Sequence, residues 1–234
     1  IDPNTADVTA RVVEMVGYLM AGAAAKTLID SNVVKPDTRQ QANPSLALPY
    51  TNIPSLVPLP QHPSPDRLAR ALDYLRREQE SDGSWFGRWG VNYIYGTSGT
   101  LSALALAAPQ THRAQIQRGS DWLVSCQNED GGWGETCFSY NDPRYKGQGD
   151  STASQTAWAL IGLLAAAEAT GSPERQAIDR GIQYLIDTQL PDGRWDEPYF
   201  TGTGFPCHFY LKYHMYQQYF PLIALGRYQK LVHP

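Results

Sequence analysis

The sequence predicts an all-α protein, an α/α barrel of helical hairpins in two concentric layers. Two observations carry this. A basic residue, a Tyr/Trp-Leu pair, a Gln, a Gly and a Trp recur three times at fixed spacing. Amphipathic helices also alternate with helices that are apolar almost all round. A helix with no polar face belongs inside a layer of helices that have one.

Composition narrows the function. The chain has 234 residues and a formal charge of −4, long enough for a sizeable core. Its Lys and Arg are scattered, which excludes the concentrated basic footprint of a nucleic-acid binder. Cys126, Cys137 and Cys207 form no CxxC pair, and an odd, scattered set points to reduced thiols in a cytoplasmic setting. The longest apolar run, 157–167, is too short to span a bilayer, and the N-terminus does not read as a signal peptide. His208 and His214 fall on different helix faces with no third ligand, so no metal site is expected. By Asp7 the chain is already in an amphipathic pattern, an abrupt start that reads as a piece of something longer.

Val8, Val12, Val13, Met15, Val16 and Leu19 recur at helical spacing and predict a helix over roughly 6–22, with Asp7 as its N-cap. Residues 27–65 hold eight prolines and no sustained period, so a long loop is expected there. Its Leu and Val content places it against an apolar surface, either its own barrel or a membrane. Then come the repeats. Arg70-Ala71, Tyr74-Leu75, Gln79, Gly83 and Trp85 form the first copy; Arg118-Gly119, Trp122-Leu123, Gln127, Gly131 and Trp133 the second; Arg180-Gly181, Tyr184-Leu185, Gln189, Gly193 and Trp195 the third. In each, a helix should end in an Asp-Gly turn whose glycine caps it in the left-handed conformation. The Gln amide then reaches free backbone groups at helix ends, and the Trp ring covers the turn and stacks on that amide. Each copy is a structural clamp between helices rather than a catalytic unit.

Between the clamps lie the apolar helices 98–108 and 151–169, and a last one from about Cys207. In that last helix Phe209, Tyr213, Tyr216 and Phe220 would share one face, packing a core or lining a cavity. About seven helices make three and a half hairpins, fewer than a closed toroid needs. Glu135, Asp142, Asp196 and Glu197 lie near turns and read as caps and turn formers.

The repeats resemble the QW motif of the triterpene cyclases. The stretches GSWFGRWGVNYIYGTSGT (83–100), GGWGETCFSYNDPRYKGQGDSTASQTAWAL (131–160) and DEPYFTGTGFPCHFYLKYHMYQQYFPLIALGRY (196–228) resemble the C-terminal part of a squalene-hopene cyclase. The likeness covers 1–22 and about 66–230; the proline-rich stretch departs from it. The resemblance implies cyclisation of squalene to hopene or hopanol without metal or cofactor. In such enzymes the middle Asp of a D-x-D-D motif protonates a terminal alkene. This chain holds no D-x-D-D, Asp7-Val8-Thr9-Ala10 being a faint echo, so the acid is expected upstream.

Carried over residue by residue, the resemblance makes Trp89, Phe205, Phe209, Tyr213 and Tyr216 cavity residues facing the cations, with Phe220 in the core. Tyr95 would position water near the acid, and Asp7 and Arg11 would be the acid's polar support. It also implies squalene and the missing N-terminal half as partners, a homodimer, and monotopic attachment at the cytoplasmic face of the cell membrane. The residues alone leave plainer readings open: a cap and a helical ion pair for Asp7 and Arg11, loop packing for Trp89 and Tyr95. Two other functions stay open, an oxidosqualene cyclase-like fragment and a non-catalytic α/α-barrel module binding an isoprenoid or a protein.

Overall fold

The computed structural model describes residues 5–30, 64–171 and 174–233. Among them are seven α-helices: α1 (Ala6–Asp30), α2 (Pro65–Arg77), α3 (Tyr93–Ala107), α4 (Arg113–Ser125), α5 (Ala153–Thr170), α6 (Arg175–Asp187) and α7 (Tyr216–Val232). A two-stranded antiparallel hairpin, β1 (Gly202–Phe205) and β2 (Phe209–Leu211), precedes α7. Helices α1, α3, α5 and α7 pack side by side as an inner row, while α2, α4 and α6 lie outside against their neighbours. The apolar patterns are the inner helices, as expected; every residue of α5 from Ala153 to Ala167 is buried.

The clamps build this arrangement. The last carbonyls of a helix lack intrahelical partners, and each clamp takes one. The indole N–H of Trp85 donates to Leu75 O (2.7 Å), that of Trp133 to Leu123 O (2.7 Å) and that of Trp195 to Leu185 O (2.8 Å). The backbone N–H of the same tryptophans reaches the next inner helix, at Thr97 Oγ1 (2.9 Å), Thr156 Oγ1 (2.9 Å) and Gln218 Oε1 (3.3 Å). The rings pack on glycines of the next outer helix. A Cβ on Gly119 would lie 2.8 Å from the Trp85 ring, and one on Gly181 would lie 2.6 Å from Trp133. So the ring covers a neighbouring helix, where stacking on the Gln amide was expected. The Gln79 amide donates to Gly83 O (3.0 Å) and across to Gln115 O (3.0 Å); Gln127 donates to Gly131 O (2.8 Å) and Ala177 O (2.9 Å).

Four further expectations are corrected. The turn glycines are not helix caps: α2 ends at Arg77 with Glu78 as its C-cap, and Gly83 sits in a later turn with φ 99°, its backbone against Arg118 O of the next outer helix. Helix α1 continues to Asp30, because the Ala-rich stretch after Met20 keeps helical propensity once the apolar period has gone. The expected loop therefore begins later; its residues 31–63 lie outside the described residues, and Ser64 and Pro65 already belong to the start of α2. Asp7 lies inside the first turn of α1, not at its N-cap. Finally, no helix runs from Cys207. Pro206 has no N–H to donate and Cys207 takes a φ of 66°, so the chain reverses and Phe205 pairs with Phe209. Phe209 and Tyr213 therefore precede α7, and only Tyr216 and Phe220 lie on it.

The third clamp differs from the others. Gln189 bonds Gly193 O (2.9 Å) but, among the described residues, no second carbonyl, and nothing lies within 4 Å of the position a Cβ would take on Gly193. Replacing Gln127 by Ala strands part of a two-helix junction and should cost about 1 kcal/mol or more in urea unfolding. Gln189→Ala should cost half of that or less; equal losses would contradict the unequal clamps.

Candidate functional site

Aromatic rings drawn from separate stretches meet along the inner row. Glycines seat them by close approach: a Cβ on Gly90 would fall 2.4 Å from the Tyr95 ring, on Gly202 2.5 Å from Tyr213, and on Gly204 2.1 Å from Phe209. The hairpin is tied to the segment before α3, Thr203 N donating to Trp89 O (3.1 Å) and Val91 N to Thr201 O (3.2 Å). Tyr213 stacks on Tyr216 with centroids 4.6 Å apart and planes at 23°, and Phe205 meets Phe209 edge-on at 5.5 Å. Phe205, Phe209 and Tyr213 are 55%, 46% and 39% exposed, values too high for core residues; they present an open aromatic surface. Phe220 instead packs partly buried against the core.

Asp7, Arg11, Trp89 and Tyr95, far apart in sequence, line one cavity of about 300 Å³ together with Val8, Val12 and Met15. Asp7 is buried; its Oδ1 accepts from Val8 N (2.9 Å) and its Oδ2 from Trp89 N (2.9 Å). The carboxylate thus pins the Trp89 backbone onto α1. Arg11 does not pair with Asp7. Its guanidinium bonds Glu14 Oε2 (2.9 Å) and lies 5.6 Å from the Tyr95 centroid. Burial opposes its charge, but Tyr95 and Glu14 more than offset this and hold its pKa above the ordinary value. Arg88 lies 5.1 Å from the Trp89 centroid.

One residue escapes the sequence reading. Trp158, hidden in the apolar run of α5, touches Tyr95 (4.8 Å), Tyr216 (5.8 Å) and Phe220 (5.5 Å) edge-on. Glu135 and Glu197, read from sequence as caps, do cap helices: two residues after the second and third clamp tryptophans, they bind the N-termini of the preceding inner helices. Glu135 Oε2 accepts from Ile94 N (2.9 Å) and Asn92 N (3.3 Å) at α3, and Glu197 Oε2 from Ser154 N (3.0 Å) at α5. Burial pushes both carboxyl pKa values up, and these bonds offset part of the rise. The first copy carries Gly87 at this position, where a Cβ would meet Asn92 O at 2.4 Å. A larger cavity of about 650 Å³, walled by Phe138, Phe200 and Tyr210, contains none of the expected site residues. Among the described residues no three His, Cys, Asp or Glu converge on a point, and no helix is long and apolar enough to cross a membrane.

The profile of the squalene-hopene cyclase C-terminal domain matches residues 53–230. The chain belongs to this family. It is 52% identical over 98% of its length to a protein named dammaradiene synthase from Dryopteris crassirhizoma, covering 30% of that relative. It is 57% identical over 70% of its length to the squalene-hopene cyclase of Alicyclobacillus acidocaldarius, covering 26% of it. The cyclase-family chain thus spans less than a third of these relatives. In fold it is similar to the ent-copalyl diphosphate synthase of Streptomyces platensis, with a TM-score of 0.62, 18% identity, and coverage of 97% of this chain and 34% of that one.

Trp89 is the least buried of the six tryptophans. Asp7→Ala removes the acceptor for its backbone N–H, so acrylamide should quench a larger fraction of the tryptophan fluorescence while the helical circular dichroism holds. Unchanged quenching would show that Asp7 does not fix Trp89.

Proposed function

We propose that this chain forms the aromatic part of the cavity of a triterpene cyclase, which holds squalene folded and guides its carbocations into a polycyclic skeleton such as hopene or hopanol. The observation that supports this is the run of ring contacts from Tyr95 through Trp158 to Tyr216 and Tyr213, with Trp89 beside Tyr95 in one cavity and Phe205 and Phe209 exposed on the hairpin that is bonded to Trp89 O. An aromatic face attracts a cation through its quadrupole, by about 2 kcal/mol when desolvated. It also offers no lone pair to capture that cation. A surface of this kind lets a ring-forming cation travel from one alkene to the next.

In this reading Phe205 and Phe209 face the mid- and late-stage cations, and Trp89, Tyr213 and Tyr216 shape the polyene. Asp7, Arg11 and Tyr95 support an acid that this chain does not contain: an alkene is a very weak base, and no D-x-D-D is present to protonate it. Residues 1–234 are then the C-terminal part of one α/α-barrel domain, and the acid comes from a segment outside them. A water-insoluble substrate favours a peripheral position on the cytoplasmic face of a membrane, and the family resemblance favours a homodimer. The relatives carry different product names, so a dammaradiene-type product is the second reading, favoured by the identity over nearly the whole chain.

Phe205→Ala in the full-length polypeptide should release prematurely terminated cyclic products from squalene, resolved by gas chromatography and mass spectrometry. A product profile identical to wild type would take Phe205 out of the cavity.

A further inference from the structure

Trp158 is fully buried in α5, the inner helix flanked by α3 on one side and α7 on the other. Its ring meets Tyr95 of α3 at 4.8 Å and 66°, and Tyr216 and Phe220 of α7 at 5.8 Å and 77° and at 5.5 Å and 78°. It therefore bridges the two sides of the aromatic surface from behind. Each ring it touches passes the contact on: Tyr95 lies under the Arg11 guanidinium and against Gly90, and Tyr216 stacks on Tyr213.

The indole N–H of Trp158 is buried and has no hydrogen-bond partner among the described residues. A stranded donor is costly, and a residue needed only to fill space would be Phe or Leu, which carry none. What indole adds is a wider ring that reaches Tyr95 and the α7 pair at once. Edge-to-face contacts of this kind prefer set orientations, so the indole holds the planes of both tyrosines.

Resting on the cyclase reading above, we infer that Trp158 is a positioning residue: it sets the ring planes of Tyr95 and Tyr216, and through them the separation of the two aromatic walls along which the cations move. It touches no substrate; it acts through the two tyrosines. Shortening this ring lets Tyr95 turn away from Arg11 and Tyr216 slide from Tyr213, and a cation that meets a displaced ring loses its proton early.

The test has two arms. In the full-length polypeptide, Trp158→Phe should keep its melting temperature near wild type, while turnover of squalene falls roughly ten- to a hundredfold, the scale of an ångström misplacement. The share of incompletely cyclised products should rise with it. Turnover that falls with an unchanged product ratio would reduce Trp158 to packing. In the second arm, the isotope-labelled 234-residue chain is followed by NMR. Contacts between the Arg11 side chain and the Tyr95 ring should be present in wild type and weakened in both Trp158→Leu and Trp158→Phe; full retention overturns the inference. If the wild-type full-length polypeptide, D-x-D-D segment included, forms no cyclic product from squalene, the cyclase reading fails, and the NMR arm still decides the role of Trp158.

Discussion

An indole N–H bonded to a carbonyl in the last turn of a helix is the contact that the rest of this structure hangs from. Helix ends expose carbonyls that water would otherwise satisfy, and Trp85, Trp133 and Trp195 each take one at 2.7–2.8 Å. The same residue bonds the following inner helix through its backbone, and in the first two copies its ring lies on a glycine of the following outer helix. In those two copies one residue thereby fixes three helices. Repeated around an arc, it sets the pitch at which inner helices stand beside one another.

The aromatic surface inherits its geometry from that pitch. Glu135 and Glu197 follow clamp tryptophans by two residues and bind the N-termini of α3 and α5, so the ends of the inner helices are fixed by the same turns. Gln217 and Gln218 both donate to Trp195 O, each at 2.8 Å, and fix the start of α7 and with it Tyr216. Glycines then let rings lie directly on backbone, as Phe209 does on Gly204. The placement of the aromatic rings is therefore a consequence of helix-end hydrogen bonding.

Much of this was legible in sequence because clamps repeat. The alternation of amphipathic and apolar helices shows the layers and the inner position of α5, and three copies at one spacing show the Gln bonds at helix ends. The indole bonds of the tryptophans are not legible there, because the same spacing fits a ring stacked on the Gln amide. The hairpin was misread because Phe209, Tyr213, Tyr216 and Phe220 satisfy helical spacing by coincidence, while Pro206 and the left-handed Cys207 break the helix locally. Asp7 and Arg11 were paired in expectation by their i, i+4 spacing, yet Asp7 bonds Trp89 N and Arg11 bonds Glu14, choices that only tertiary packing makes. Trp158 was invisible for a different reason: within STASQTAWALIGLLAAA an indole reads as one more apolar residue, and its edge contacts come from helices far away in sequence.

In the proposed function labour is divided: this chain shapes the path of a carbocation, and a segment outside it creates one. The most direct measurement is to incubate the purified 234-residue chain with squalene in detergent and analyse the extract by gas chromatography and mass spectrometry. This chain should leave squalene unchanged, and cyclised triterpenes should come only from a polypeptide that also carries a D-x-D-D segment. Cyclised product from the chain alone would contradict this division, because some residue among these 234 would then be acid enough to protonate an alkene.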